Sequence, residues 1–260
     1  MKYCVINLIF NNYELVREPL EYDNDCDYLL FTDSKDITSE IWNVIYLEEF
    51  DNNHLTGTQK MIKFKYSFYK YIPNINQYKY FIQIDGSMLL KKSLKPIINY
   101  IDKNDYDLSI ALHPIRDNFI DEYNVWCSER NLDKYYPELF FNIAKDYDYS
   151  LSGLCETGLK IYKNCNIIIS FIDDVYKILN KCNYNDKNEQ CYFTYILYKY
   201  FKLLNINYHP TALYRFSNFI ELKIHNSLNT QYFLNIINKP GEFTKIFNNV
   251  VKINDLTEYS

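Results

Sequence analysis

The stretch YFIQIDGSM at residues 80–88 gives the clearest indication of the fold. Its first five residues form a mostly apolar run of the length of a buried strand, and the run stops at Asp85 and Gly86. A carboxylate at a strand end can coordinate a divalent metal or bind a ribose hydroxyl, and Gly86 lets a ligand approach the backbone closely. The simpler interpretation is that Asp85 and Gly86 only form a turn.

Apolar runs of strand length recur along the chain at Tyr3–Phe10, Tyr28–Thr32, Asn43–Leu47, Tyr80–Ile84, Leu108–Leu112 and Leu159–Tyr162. Helical periodicity marks residues 58–72, where Met61, Phe68 and Ile72 fall on one stripe, and residues 189–204. Strands that alternate with helices predict an α/β fold with a mixed, mostly parallel sheet flanked by helices. A chain of 260 residues without a Pro/Gly/Ser-rich linker is expected to form a single domain.

The composition excludes several classes of protein. The chain has 28 Lys and Arg against 33 Asp and Glu, a formal net charge of −5, which removes the general electrostatic basis for nucleic-acid binding. Its 28 Tyr and 17 Phe can fill a sizeable core. The five glycines, at positions 57, 86, 153, 158 and 241, form neither GxGxxG nor a complete Walker A motif. A bound nucleotide must therefore be held in another way.

The sequence predicts a cytoplasmic protein with no membrane span. No run approaches the roughly 18–20 apolar residues that cross a bilayer, and residues 1–10 predict a first strand rather than a signal peptide. The seven cysteines include no CxxC pair, which favours reduced thiols over a disulfide framework or a zinc site. The bias toward Asn, Ile, Lys, Tyr and Phe indicates an AT-rich genome, as in a low-GC bacterium or a large DNA virus.

A polar group follows the predicted strand at 108–112. Arg116 offers a planar fork that suits phosphate or carboxylate, and Asp117 can orient a sugar hydroxyl or hold Arg116 in place. The same residues are also consistent with an ordinary ion pair in a loop. His113, one of four histidines, is by itself more typical of a structural role.

Two further acids occupy distinctive positions. Glu156 lies between Gly153 and Gly158, ahead of the predicted strand at 159–162, and this use of two glycines predicts a special backbone shape. Glu189 begins the second predicted helix, where the helix dipole favours an acid and where a carboxylate can serve as a general base. The alternative for Glu189 is an ordinary helix N-terminus with Asn188 as its cap.

In order and spacing, these motifs resemble the TOD/MUCI-type glycosyltransferase-like family over roughly residues 2–204. The matching motifs are FNNY at 10–13, REPL at 17–20, FTD at 31–33, Lys65, IDG at 84–86, HPxRDx4E at 113–122, GLxETG at 153–158 and EQxxFxYx3K at 189–199. The resemblance implies a GT-A-like, Rossmann-like nucleotide-sugar domain over residues 1–204. Residues 205–260 are then expected to be C-terminal helices and loops packed on the same domain.

The resemblance also implies a set of site residues. Those assigned to the donor nucleotide sugar are Asp33, Lys65, Asp85, Gly86, Ser87, His113 and Arg116. Asp85 is in addition the expected ligand of Mn²⁺ or Mg²⁺. Those assigned to catalysis or to sugar hydroxyls are Asp117, Glu156 and Glu189, with Glu189 the first choice for general base if the reaction inverts the anomeric centre.

Two departures from the family pattern bear on these roles. The family usually shows WIDGN where this chain has QIDGS at 83–87, and RDQ where it has NEQ at 188–190. Because position 87 is Ser, the motif lacks the second acid of Asp-x-Asp, and one carboxylate holds a divalent cation less firmly than two.

The implied activity is transfer of a sugar from a nucleoside diphosphate sugar to a glycan or other hydroxyl acceptor, in surface polysaccharide synthesis. Two rival functions remain open: a non-catalytic sugar-binding protein, for which the tyrosines would suit stacking on sugar faces, and a nucleotidyltransferase. The second typically carries a Gly-rich basic loop near its N-terminus, and residues 10–13 contain no glycine.

Overall fold

The structure is a computed structural model that describes residues 2–51, 54–113, 122, 153–184, 189–210 and 219–222. Its nine described strands are β1 (Tyr3–Ile9), β2 (Cys26–Thr32), β3 (Asn43–Tyr46), β4 (Tyr80–Asp85), β5 (Met88–Leu90), β6 (Leu108–Leu112), β7 (Cys155–Lys163), β8 (Ile206–Pro210) and β9 (Ile220–Leu222). The described α-helices are α1 (Glu48–Asp51), α2 (Gly57–Lys65), α3 (Lys95–Lys103), α4 (Asn166–Lys181) and α5 (Glu189–Tyr200).

Seven strands form one sheet in the order β3-β2-β1-β4-β7-β6-β8. Strand β7 pairs antiparallel with both of its neighbours, and all other pairs in this sheet are parallel. Strands β5 and β9 form a separate two-stranded sheet. The predicted α/β class, a mixed and mostly parallel sheet flanked by helices, is confirmed.

Helices cover the sheet because its central strands are apolar on both faces. All seven residues of β1 are buried, as expected for a parallel strand covered on both sides. Helix α4 buries Ile168, Phe171, Ile172, Val175 and Leu179, whose three-to-four spacing gives one apolar stripe. On this face the core is rich in aromatic rings, and Phe31 of β2 lies with its ring centroid 4.5 Å from that of Phe64 of α2. Helix α3 buries Ile98 and Ile101 in the smaller core of the opposite face.

Helix α2 is shorter than its sequence pattern predicts. A capping box fixes its start, because the Thr56 hydroxyl accepts from the Gln59 amide while the Gln59 side chain accepts from the Thr56 amide. The predicted helix ran over residues 58–72, whereas the α-helix ends at Lys65 and a separate 3₁₀ turn covers Phe68–Lys70. The apolar spacing persists through this turn, since Phe68 is still buried in the core, and periodicity alone could not reveal the break.

The segment after residue 204 contributes strands that the sequence did not predict. Strand β8 pairs parallel with β6 at the edge of the main sheet, and β9 pairs with β5. The expectation of helices and loops for 205–260 is therefore wrong for these two stretches. Helix α5 is described from Glu189 onward and ends at Tyr200 rather than at the predicted residue 204.

Two further expectations concern membranes and thiols. Among the described helices, none combines the length and apolar character that crossing a membrane requires. The cysteines in the described ranges, Cys4, Cys26, Cys155, Cys165, Cys182 and Cys191, are free thiols.

Candidate functional site at the carboxyl edge of the sheet

The order of the strands identifies where a ligand is expected to bind. From β1 the chain moves outward to β2 and β3, and it then returns to the other side of β1 as β4. In open α/β sheets the crevice at such a reversal, outside the carboxyl ends of the strands, is the usual ligand site. The crevice here lies between the ends of β1 and β4, where Leu8 is the register partner of Asp85.

Asp85 ends β4 at this crevice, as the sequence predicted. Its Oδ1 lies 2.8 Å from Nζ of Lys65, and its side chain is 28% exposed. Gly158 of β7 makes room for the carboxylate, because a Cβ at this position would lie 3.3 Å from Asp85 Oδ2 and 2.7 Å from Met88 Cε. Gly158 thus lies inside a strand rather than in a loop ahead of one, and its missing side chain shapes the site.

Lys65 connects Asp85 to the start of α5. It is the last residue of α2, its side chain is only 1% exposed, and its Nζ lies 3.5 Å from Glu189 Oε1. Burial disfavours the charged amine, but Asp85 and Glu189 outweigh burial and raise the pKa of Lys65 above its ordinary value. The side-chain amide of Gln83, on β4, donates to the Lys65 carbonyl oxygen at 3.1 Å and fixes the end of the helix.

Glu189 is the first described residue of α5 and is buried. The Tyr66 hydroxyl donates to its Oε1 at 2.8 Å, and Lys160 Nζ lies 3.8 Å from the same oxygen. Burial opposes its charged form, but Lys65 and Lys160 outweigh that effect and hold the pKa of Glu189 below its ordinary value. The carboxylate is therefore ionised, and its basicity is low until the arrangement around it changes.

Lys160 was not predicted from the sequence. It lies on β7 directly across from Gln83 of β4. Its neighbours in the strand have the apolar pattern of ordinary core residues. Burial and the nearby Lys65 lower the pKa of Lys160 to about 7. The position of Lys160 in the middle of an apolar strand could have indicated a buried ion pair, since a buried charge needs a partner.

A second buried ion pair lies at the ends of β1 and β2. Asp33 accepts from the backbone amide of Asn11 at 2.8 Å, and its Oδ2 lies 2.6 Å from Lys60 Nζ. Lys60 also donates to the Asn11 side chain at 2.9 Å, and both charged side chains are 5% exposed. Asn11 has a left-handed backbone, with φ of 53°, a conformation that Asn tolerates well. Asp33 was predicted and Lys60 was not.

The turn after Asp85 is tightly enclosed. A Cβ on Gly86 would lie 3.0 Å from the Leu8 carbonyl oxygen and 3.2 Å from Cγ of Glu14, so only glycine fits without a shift. Glu14, which the sequence analysis did not single out, forms an ion pair with Arg17 at 3.3 Å. Ser87 is buried.

Glu156 lies in β7, and His113 follows β6. Glu156 is the register partner of Ala111, which packs in the core on the α3 side, whereas the next residue, Thr157, donates to Glu189 on the other side. Because successive strand residues face opposite sides, Glu156 and Glu189 lie on opposite faces of the sheet. His113 follows β6, with β7 between β6 and β4, and its backbone amide donates to the Leu154 carbonyl at 2.6 Å.

The remaining predicted residues are Arg116, Asp117 and Asn188, which lie outside the residues that the structure describes. Gly153 has a φ of +136°, in the region that favours glycine, so the special backbone predicted there is confirmed.

The described donors at Asp85 do not suit a divalent cation. A divalent cation prefers several oxygen ligands, often with two or more carboxylates. Within the described ranges no group of three His, Cys, Asp or Glu side chains is arranged to hold a metal. Asp85 Oδ1 already contacts the Lys65 ammonium, and Ser87 supplies no second charge. The predicted metal site at Asp85 is thus not supported by its neighbours.

Comparison with known proteins adds a likeness to solved structures. No family model and no curated protein matches this chain. Among solved structures, the apo form of mouse xyloside xylosyltransferase 1 matches 82% of this chain and 87% of that chain, with 11% sequence identity and a TM-score of 0.43. The function is therefore inferred from the residues of this chain.

Proposed function

We propose that this chain is a glycosyltransferase that moves a sugar from a nucleoside diphosphate sugar to a hydroxyl acceptor. The observation that supports this most is the pair of ion pairs that Lys65 forms with Asp85 and Glu189 at the switch point of the sheet. It joins a partly exposed carboxylate at a strand end to a carboxylate at a helix start. The ordered family motifs contain all three residues.

Sugar transfer requires a bound leaving group, a positioned acceptor and a place for the acceptor proton. In this proposal Asp33, Asn11 and Lys60 lie toward the nucleoside, since they surround the ends of β1 and β2. Asp85, Gly86 and Ser87 line the position of the diphosphate and the transferred sugar. Arg116, His113 and Asp117 complete the donor and acceptor contacts, as the resemblance implies.

Glu189 is the proposed general base of an inverting reaction. The acceptor oxygen attacks the anomeric carbon, the bond from that carbon to the diphosphate oxygen breaks, and the acceptor proton passes to Glu189. Because Lys65 and Tyr66 hold this carboxylate in the structure, accepting a proton requires a shift of these contacts when substrates bind. A retaining reaction needs no such base, and Glu189 would then only position Lys65.

The decisive test of the site is Asp85→Asn with a panel of nucleotide sugars. We expect this variant to lose turnover of every donor that the natural protein uses, because the amide cannot pair with Lys65 in the same way. Asp25→Asn is the matched control, since Asp25 is an exposed acid just before β2, at the opposite edge of the sheet, paired with Lys95. Asp85→Asn with natural turnover would contradict the site assignment.

The test of the base is Glu189→Gln. We expect turnover to fall by about two orders of magnitude or more with donor affinity nearly unchanged, because a general base typically contributes about 10²–10⁴-fold. A loss confined to donor affinity would show that Glu189 serves binding only.

A non-catalytic protein that binds nucleotide sugars is the second candidate function. It is favoured by the lysines and the tyrosine that hold Glu189, since they weaken it as a base. Donor-dependent thermal stabilisation with no turnover of any donor and acceptor pair would support this candidate.

A further inference from the structure

The acids at the carboxyl edge of the sheet are already paired with cationic side chains of this chain. Asp85 pairs with Lys65 at 2.8 Å, and Asp33 pairs with Lys60 at 2.6 Å. Glu189 has Lys65 at 3.5 Å. An anionic ligand at this edge therefore meets carboxylates that already have cationic partners before it arrives.

We infer that the Lys65 ammonium supplies, at the end of β4, the charge compensation that a divalent cation supplies elsewhere, so that this protein binds a nucleoside diphosphate without a metal ion. The inference rests on the proposed function. Lys65 is the residue that makes the metal unnecessary.

The position of Lys65 is fixed from several directions. Its ammonium lies between Asp85 and Glu189, its carbonyl oxygen accepts from Gln83, and its side chain is almost wholly buried. Asp85 Oδ2 lies toward β7, where the absence of a side chain on Gly158 admits it. A metal on Asp85 would share one carboxylate with the ammonium, and two cations so close repel each other strongly.

Lys65 acts through its neighbours rather than by touching the ligand. Because it is buried behind the partly exposed Asp85, it is a positioning residue that offsets the charges of Asp85 and Glu189. Without it, Asp85 would face an incoming diphosphate uncompensated, and Glu189 would keep only Lys160 as a cationic partner. A divalent cation would then be needed to bring the anion and the two carboxylates together.

The first experiment measures binding of UDP and of GDP to the natural protein by titration calorimetry, once with EDTA and once with Mn²⁺. We expect affinities that agree within about threefold, a difference below about 0.7 kcal/mol. Binding that is at least about tenfold tighter with Mn²⁺ overturns the inference. The absence of binding of both nucleotides in both buffers contradicts the proposed function itself, so the two failures are distinguishable.

The second experiment compares Lys65→Met with Lys65→Arg. We expect Lys65→Met to bind the same nucleotide at least about tenfold more weakly in EDTA and to regain affinity with Mn²⁺, whereas Lys65→Arg keeps the charge and needs no metal. Lys65→Met that binds equally well in EDTA overturns the inference. If Lys65→Met does not fold, as thermal unfolding would reveal, the natural protein and Lys65→Arg decide the question.

Discussion

Helix α2 contributes one buried lysine to each of two ion-pair clusters. The clusters differ in the number of their charged groups and in their exposure to solvent. Within the part of the chain that the structure describes, Lys60 forms an ion pair with Asp33 alone, and both side chains are equally hidden from solvent. Lys65 serves two carboxylates, and one of them, Asp85, is partly exposed at the crevice. The first cluster has one cation for one anion, whereas the second extends to Lys160 and opens to solvent.

This difference separates a pair that can line only an uncharged part of a ligand from one that can also act on its charged part. A closed buried pair has no net charge left for a diphosphate, and replacing it with uncharged residues is often nearly neutral for stability. A branched cluster cannot be neutralised by one substitution, because Lys65 is shared by two carboxylates and Glu189 by two lysines. Its exposed member is the natural point of contact for a substrate.

The largest expected effect on stability is that of Lys65→Met. The variant leaves Asp85 and Glu189 without their shared cation, and removing one partner of a buried ion pair typically costs about 3–5 kcal/mol. The free energy of unfolding, measured with urea, should fall by this amount. A loss under about 1 kcal/mol would show that the cluster is well solvated and would remove the contrast between the two clusters.

Gly158→Ala should have the next largest effect. Its new Cβ would lie 2.7 Å from Met88 Cε and 3.3 Å from Asp85 Oδ2, so both side chains must move. Overpacking of this kind costs about 1–3 kcal/mol, which thermal unfolding can measure. Gly57→Ala is the comparison variant at the other cluster, since its Cβ would lie 3.1 Å from Cβ of Asn11 and 3.2 Å from the Phe10 carbonyl oxygen. Because the proposed donor lies along both clusters, nucleotide affinity that is unchanged in both variants would contradict that placement.

Replacing both charges of the Lys60–Asp33 pair should change the free energy of unfolding by a smaller amount. Lys60→Met alone leaves the buried Asp33 unpaired, whereas Lys60→Met with Asp33→Asn removes both charges. We expect the double variant to be more stable than Lys60→Met by at least about 1 kcal/mol, because breaking a buried pair costs more than replacing it. A double variant no more stable than Lys60→Met would show that the pair is not closed.

The smallest effect is the pH dependence that comes from Lys160. Its pKa is about 7 in the folded protein, against an ordinary value of 10.5 that applies to the unfolded chain. Above pH 7 the unfolded chain therefore holds one more proton, so the free energy of unfolding rises with pH across this window. Between pH 6 and 8 the natural protein should gain about 1 kcal/mol relative to Lys160→Met. A constant difference across these pH values would show that Lys160 stays protonated in the fold.

Much of the sheet could be predicted from short-range patterns. The central strands are apolar runs that end at polar residues, so β1, β4 and β6 were located to within a residue, and Asp85 was correctly placed at a strand end. Strands β8 and β9 were missed because the residues around them are mixed in polarity. The end of α2 was missed because the buried Phe68 continues its apolar spacing into the 3₁₀ turn.

The sequence by itself determined that β4 ends in Asp85, that α5 begins with Glu189 and that the sheet is mostly parallel, because these follow from local periodicity and strand ends. Only the tertiary structure decided which charges meet. Lys65 and Glu189 are separated by 124 positions, and Lys160 enters their cluster from β7, which runs antiparallel to its neighbours in the main sheet. Burial makes such partners obligatory for charged groups, yet it does not specify them until the chain has folded.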